Sequence, residues 1–380
     1  MILEQARAIP PTNTGDFAWS SLRRFQNVDS VEKEIIQLHC LAERWKPNAK
    51  KQARQLRHCL IQAREYFVAA KSVSLATKPN LLYYGMMSLA LAEILLKQSG
   101  LSSLDRARAE HRHHGLSMID PQNRATPSDL TAAASTLRAV PLEINGIRRG
   151  TFELWHRSCR EYPIGGQLNQ HLDQGALSSY GIVASAADRE LPPVPTTGFT
   201  LLECLINIPG MLDFLPVHGV QPNMVRGKAS RDLYPNDSND FVLTVHPSSL
   251  TDSFLKNILV DPSAVDRITV VEVQSGLVAR ITNDPINGAV NFMIPPGCSW
   301  NTDETRFWTS DQCLNEFGFM YLANFVAGNY ARYYPDRWLA DVENSNPLSL
   351  AIEELLATIE QRAPLLTLSE LSRTCLVAPA

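Results

Sequence analysis

The segment from Leu81 to Gln98 limits what this chain can become more than any other. Wound as a helix, it carries apolar residues on nearly every side. No face is left for water, so the segment must sit at the centre of a packed unit. Lys78-Pro79-Asn80 breaks the chain before it and Gly100 ends it. The longest apolar stretch, Met86 to Leu96, is interrupted by Ser88 and Glu93 and falls far short of a membrane span. It reads as the core helix of a soluble protein with no membrane partner. A chain of 380 residues that is 44% hydrophobic has ample material to bury such a helix.

The preceding helix is amphipathic. Ala49, Ala53, Leu56, Leu60, Ala63, Phe67 and Ala70 recur at helical spacing from Asn48 to Ser72, with Asn48 as the expected cap after Pro47. Lys50, Arg54, Arg57 and Arg64 gather on another face, the most basic helical surface in the chain; such faces are most often simply solvated. Upstream, Trp19, Leu22 and Phe25 are spaced like a short helix that docks on the main body.

From Leu137 the period changes. Val140, Leu142 and Ile144 alternate, Asn145-Gly146 supplies a turn, and Thr151 to Trp155 alternates again, which predicts a β-hairpin. Leu191-Pro192-Pro193-Val194-Pro195 reads as linker, and Thr200 to Ile208 as a short helix stopped by Pro209. Phe241–Val245 and Ile268–Val273 favour strands, with a helix between them over Ser248–Leu259. Helices return over Asp311–Tyr330, Leu348–Ile359 and from Ser369. The expected fold is α+β and predominantly helical. N- and C-terminal helices form one bundle-like core, and a smaller hairpin-bearing, mixed α/β region lies between them. The corresponding organisation is a lead-in over 1–47, a helical unit over 48–130, the mixed region over 131–300 and a C-terminal helical unit over 301–380.

Four stretches, in this order and spacing, resemble the YaaC-like protein family. The first is Arg64-Glu65-Tyr66-Phe67 with Lys78 to Ala90, which contains Tyr83-Tyr84-Gly85. The second is His114-Gly115-Leu116. The third is Gly150-Thr151-Phe152 with Leu205-Ile206-Asn207-Ile208-Pro209. The fourth is Ala331-Arg332-Tyr333-Tyr334-Pro335-Asp336-Arg337-Trp338 with Ala363-Pro364-Leu365-Leu366. The resemblance implies a soluble, intracellular, helix-rich protein and transfers no settled activity. The chain departs from the family pattern in its long lead-in and in the region near 160–195. Because both ends of the chain carry the resemblance, the His114-Gly115 turn and Arg332 are expected to lie in one site.

A net charge of -4 and 19% charged residues exclude a whole-surface attraction to nucleic acid or anionic lipid. Seven scattered cysteines with no C-x-x-C pair point to buried thiols in a reducing, cytoplasmic setting, with no metal and no cofactor. Phosphate-binding loops, nucleophile elbows and H-E-x-x-H are absent from the sequence. The run from Asp105 to Gly115 is dense in Arg and His. Arg106 with His111, and Arg108 with His113, resemble the Arg-x4-6-His signature of HEPN ribonucleases. The resemblance implies that His acts as acid or base while Arg stabilises phosphate charge. Ala107 and Ala109 depart from the polar residue usual after that Arg, and a solvated basic loop explains the run as well.

Tyr84, His114, Arg332 and Tyr333 are the candidate ligand-binding residues, Arg332 as a planar fork for phosphate or carboxylate and a tyrosine as a stacking face for a base. Packing of two buried helices through their tyrosines is the other reading. The leading functional expectation is a binding protein that works with a protein partner, with nucleic acid as a candidate target. A HEPN-like metal-independent ribonuclease and a nucleotide or small-anion sensor are the alternatives.

Overall fold

The computed structural model describes residues 5–9, 13–98, 103–105, 111–119, 126–158, 167–171, 177–181, 192–233, 239–245, 268–273, 276–281, 305–308 and 313–377. After strand β1 (Gln5–Ala8), helix α1 (Thr14–Leu22) starts at Asn13, whose side chain accepts from the Gly15 and Asp16 N–H groups. A 3-10 turn (Arg23–Gln26) leads to α2 (Val28–Leu38), capped in the same way by Asn27. The long helix α3 (Lys46–Ala70) begins before the expected cap: Pro47 occupies its first turn and Asn48 lies inside it. Proline lacks an N–H that the first turn does not use, and its fixed φ suits a helix start. Helix α4 (Lys78–Lys97) uses Pro79 in the same way, so the expected break is its first turn. The α3–α4 approach is close at Gly85, where a Cβ would sit 2.7 Å from the Phe67 ring. Any larger residue there would force the helices apart.

Past α4 the chain becomes mixed. Strand β2 (Leu116–Ile119) is followed by α5 (Leu130–Thr136), β3 (Arg138–Pro141), β4 (Glu143–Ile144) and β5 (Ile147–Arg148). Asn145 (φ 54°) and Gly146 (φ 72°) both take left-handed backbone, closing a two-residue hairpin in which Ile144 faces Ile147. The expected second hairpin strand is instead helix α6 (Thr151–Ser158). Phe152 and Trp155, three residues apart, both point into the core. That i, i+3 spacing is helical, whereas the strand expectation rests on the alternation of Phe152 and Leu154. Five residues are too few for one period to exclude the other.

Further along lie β6 (Gln167–His171), β7 (Leu177–Gly181), β8 (Phe199–Thr200), α7 (Leu201–Leu205), α8 (Phe214–Val217), β9 (Met224–Leu233), β10 (Asn239–Val245), β11 (Ile268–Val273), β12 (Gly276–Ile281) and β13 (Thr305–Trp308). The Thr200–Glu203 capping box starts α7. Strands β2, β3 and β8 form a small antiparallel sheet. The larger sheet runs β11-β12-β10-β9-β7-β6, with β13 on the first half of β9. Ser248–Leu259, expected to be helical, lies outside the described residues.

The C-terminal portion is helical again, in α9 (Glu316–Tyr333), α10 (Pro335–Glu343) and α11 (Pro347–Ser372), followed by β14 (Thr374–Val377). One helix therefore replaces the two expected between Leu348 and the Ser369 region. Pro364 lies inside it and cannot bond to the Glu360 carbonyl. Gly15 of α1 packs against that turn, with a Cβ there only 3.2 Å from the Glu360 oxygen. Helix α4 contacts α3, α6, α9 and α11, so both ends of the chain build one helical core. Helix α4 is also the one described helix long and apolar enough to cross a membrane, and 72% of that stretch is buried inside the fold. Strand β1 pairs in parallel with β14, Gln5 beside Thr374.

Candidate functional site

The elements that carry the four sequence stretches meet around the first half of α4. Tyr83 and Tyr84 are consecutive on a helix, so they point about 100° apart. Tyr83 is buried and edges onto His114 (5.5 Å), Tyr321 (5.7 Å) and Phe325 (5.5 Å). Tyr84 turns towards the surface, stacks on Tyr66 of α3 at 5.8 Å and lies 6.3 Å from the His114 ring. Asn324 of α9 is buried, and with its amide set to satisfy both neighbours it donates to the Pro79 carbonyl (3.3 Å) and accepts from the Tyr83 N–H (2.9 Å). That bridge across one turn of α4 fixes the height at which the tyrosines leave it.

The His114 turn is held chiefly through its backbone. The Thr151 N–H donates to the His113 carbonyl and the Phe152 N–H to the His114 carbonyl, each at 3.0 Å. These are unused donors of the first turn of α6. Two glycines make the approach possible. Gly115 (φ 86°) and Gly150 (φ 112°) both hold left-handed backbone, and a Cβ on Gly150 would fall 2.3 Å from the Gly115 Cα.

Arg332 arrives from the last turn of α9. Its guanidinium donates to the Tyr84 hydroxyl at 3.2 Å and lies 5.1 Å over the Tyr333 ring. Among the described residues it forms no ion pair with a carboxylate. The corner behind it is rigid. Tyr330 donates to Asp341 (2.8 Å), Thr126 donates to the same oxygen (3.0 Å), and Trp338 donates to the Ala76 carbonyl (3.1 Å). Burial, then the charge of Arg332, then His113 hold His114 below its ordinary value, so its imidazole is neutral at pH 7 although part of it meets solvent. Burial, and after it the facing Tyr321 phenol, push Tyr83 well above the usual tyrosine range. Neither of those two hydroxyls has a hydrogen-bond partner of normal geometry.

Of the eight sequence-derived candidates, Tyr84, His114, Arg332 and Tyr333 therefore come together. His113 borders the cluster. His111 is turned elsewhere, with Nδ1 3.4 Å from the Thr151 hydroxyl. Arg106 and Arg108 lie outside the described residues. Tyr66, Tyr83 and Asn324 also belong to the site: the first two fall in the family-like sequence stretches but not among the ligand-binding candidates, and Asn324 is in neither set. For Tyr66 the available signal was its place beside Phe67, which must face Gly85. Among the described residues, no three His, Cys, Asp or Glu side chains group as metal ligands.

The sequence model of the family described as YaaC-like Protein matches residues 23–371, a span that contains every member of this cluster. No curated protein and no solved structure matches the chain.

Proposed function

The chain belongs to the YaaC-like family, and from that premise we propose that it is a binding protein whose ligand is a nucleotide, held at the Tyr84–His114–Arg332–Tyr333 cluster. The state of Arg332 carries the reading. Its exposed fork of five donors gives one to Tyr84 and none to a carboxylate among the described residues. A phosphate group satisfies the remainder in bidentate geometry. Tyr333 is 61% exposed and offers a ring face on which a base can stack. His114, neutral when the site is empty, gains a proton more readily beside a phosphate.

The terminal phosphate of a nucleic-acid strand presents the same groups. Action on nucleic acid together with a protein partner is the broader form of this proposal, and a cytoplasmic, thiol-reducing setting goes with it. A HEPN-like ribonuclease draws less support, because His111 faces Thr151 and the His113 carbonyl is tied to the start of α6.

Thermal unfolding with nucleoside mono- and triphosphates in EDTA tests the proposal. At millimolar ligand at least one nucleotide should raise Tm by a few degrees, its nucleoside should not, and Arg332→Ala should abolish the rise. No shift with any nucleotide, or a shift that survives Arg332→Ala, overturns it.

A further inference from the structure

Five positions of α3, and Lys71 at its C-terminal cap, recur at alternating steps of three and four residues: Arg54, Arg57, Ile61, Arg64, Val68 and Lys71. That spacing sets them on one stripe, spread over about 25 Å at 1.5 Å per residue. It is the seam spacing of paired helices. Yet the stripe runs beside, rather than along, the face on which α3 buries Leu56, Leu60, Ala63 and Phe67 in the core. Val68 is 55% exposed and Ile61 half-buried. The turn after α1 forms a second wall. Between it and α3 lies a cavity of about 610 Å³ lined by Arg23, Ile61, Arg64 and Val68, and a further 270 Å³ continues it towards Trp19 and Lys71.

The charges of the stripe are not used internally. Lys50, one step earlier, is held by Asp29 and Glu32 at 3.6 and 3.7 Å. Arg23, Arg54, Arg57, Arg64 and Lys71 form no ion pair with any carboxylate among the described residues; Asp16 and Glu65 line the same cavities without pairing with them.

We infer that this groove docks an acidic amphipathic helix of a partner protein. Its apolar side chains sit on Ile61 and Val68, one heptad apart, and its carboxylates meet the flanking cations. The floor decides between occupants. Bases stack on exposed aromatic faces, whereas the exposed part of this floor is mainly Ile61 and Val68: Phe67 is 2% exposed, and the half-buried Trp19 packs edge to face on it at 5.2 Å. A lipid surface takes up the apolar face of a basic helix, and α3 has committed that face to the core.

The test is fluorescence anisotropy with a labelled synthetic helix of about 20 residues, long enough to span the stripe, carrying Leu at alternating three- and four-residue steps and Glu elsewhere. A scrambled peptide of equal composition, a single-stranded RNA of similar length and phosphatidylglycerol vesicles are run beside it. The patterned peptide should bind in the micromolar range, at least tenfold tighter than the scrambled one, and weaken with salt. Arg57→Glu/Arg64→Glu and, separately, Val68→Asp should each cost at least tenfold, while Arg332→Ala should cost nothing. All the altered side chains are largely at the surface, and circular dichroism checks that each variant folds. Equal binding of both peptides, no binding at millimolar peptide, or tighter binding of RNA or vesicles that the same variants remove overturns the inference. Self-association of the free protein that Val68→Asp abolishes would assign the groove to a second copy and overturn it too.

Discussion

The two ends of α4 handle charged groups in different ways. At its C-terminal end every buried charge is answered inside the fold. Glu93, 1% exposed, accepts from Trp155 Nε1 (2.7 Å) and from the Thr367 hydroxyl (2.9 Å). Lys97 pairs with Glu370, both almost out of solvent, and Gln52 donates to the Leu95 carbonyl at 2.9 Å. Among the described residues there, only two uncharged groups, Gln52 Oε1 and the Ser369 hydroxyl, lack a partner. At the N-terminal end the buried Tyr83 and Tyr321 hydroxyls lack normal partners, and Arg332 has no acid opposite it among the described residues. Buried polar groups without partners are costly, so a fold keeps few of them. The closed end reads as structure. The open end reads as a place kept for something else.

The comparison breaks most visibly at Lys97. Lys97→Met should remove about 3–5 kcal/mol from stability in urea unfolding, because the buried Glu370 loses the cation beside it. Adding Glu370→Leu should recover much of that loss; no recovery would mean that the pair is not a closed unit. Next comes the hinge between the two ends. Gly150→Ala should cost roughly 3 kcal/mol through left-handed backbone and overlap with Gly115, and should dislodge the His114 turn.

Arg332→Ala should do the reverse: a stability change within about 0.5 kcal/mol, as for other exposed side chains, and at least a tenfold loss of nucleotide affinity, which is about 1.4 kcal/mol. The smallest effect concerns His114. Its value is lowered in the free protein from 6.5 and would rise beside a phosphate. Affinity should therefore increase several-fold as pH falls through about 6.5, and His114→Gln should flatten the profile. His156, also lowered mainly by burial, adds a separate trend in stability. The unfolded chain takes up protons first, so Tm should fall as pH drops below about 6.5.

Much of the core was legible because α4 leaves no amphipathic choice: its composition alone forces it inside. The juxtaposition of His114 and Arg332 followed from two distant stretches sharing one family pattern. Part of what was misread concerns prolines: Pro47 and Pro79 read as lying before helices whose first turns they fill. The helix expected to end at Ile359 instead runs on through Pro364, which sits within α11 near Gly15. Gly150 does not continue the hairpin but redirects the chain into α6. Tyr66 enters the sequence reading only as part of a family-like stretch and Asn324 not at all, because the roles of both exist only across helices.

The parallel pairing of β1 with β14 has a consequence for the order of assembly. It joins positions 5–8 to positions 374–377, nearly the longest sequence separation the chain permits. Four backbone rungs are little reward for closing so large a loop until the helices between have packed and brought the strands near. The pair is thus a clasp that snaps shut last and opens first, and its amides should be the earliest to exchange with solvent hydrogen while α4 stays protected.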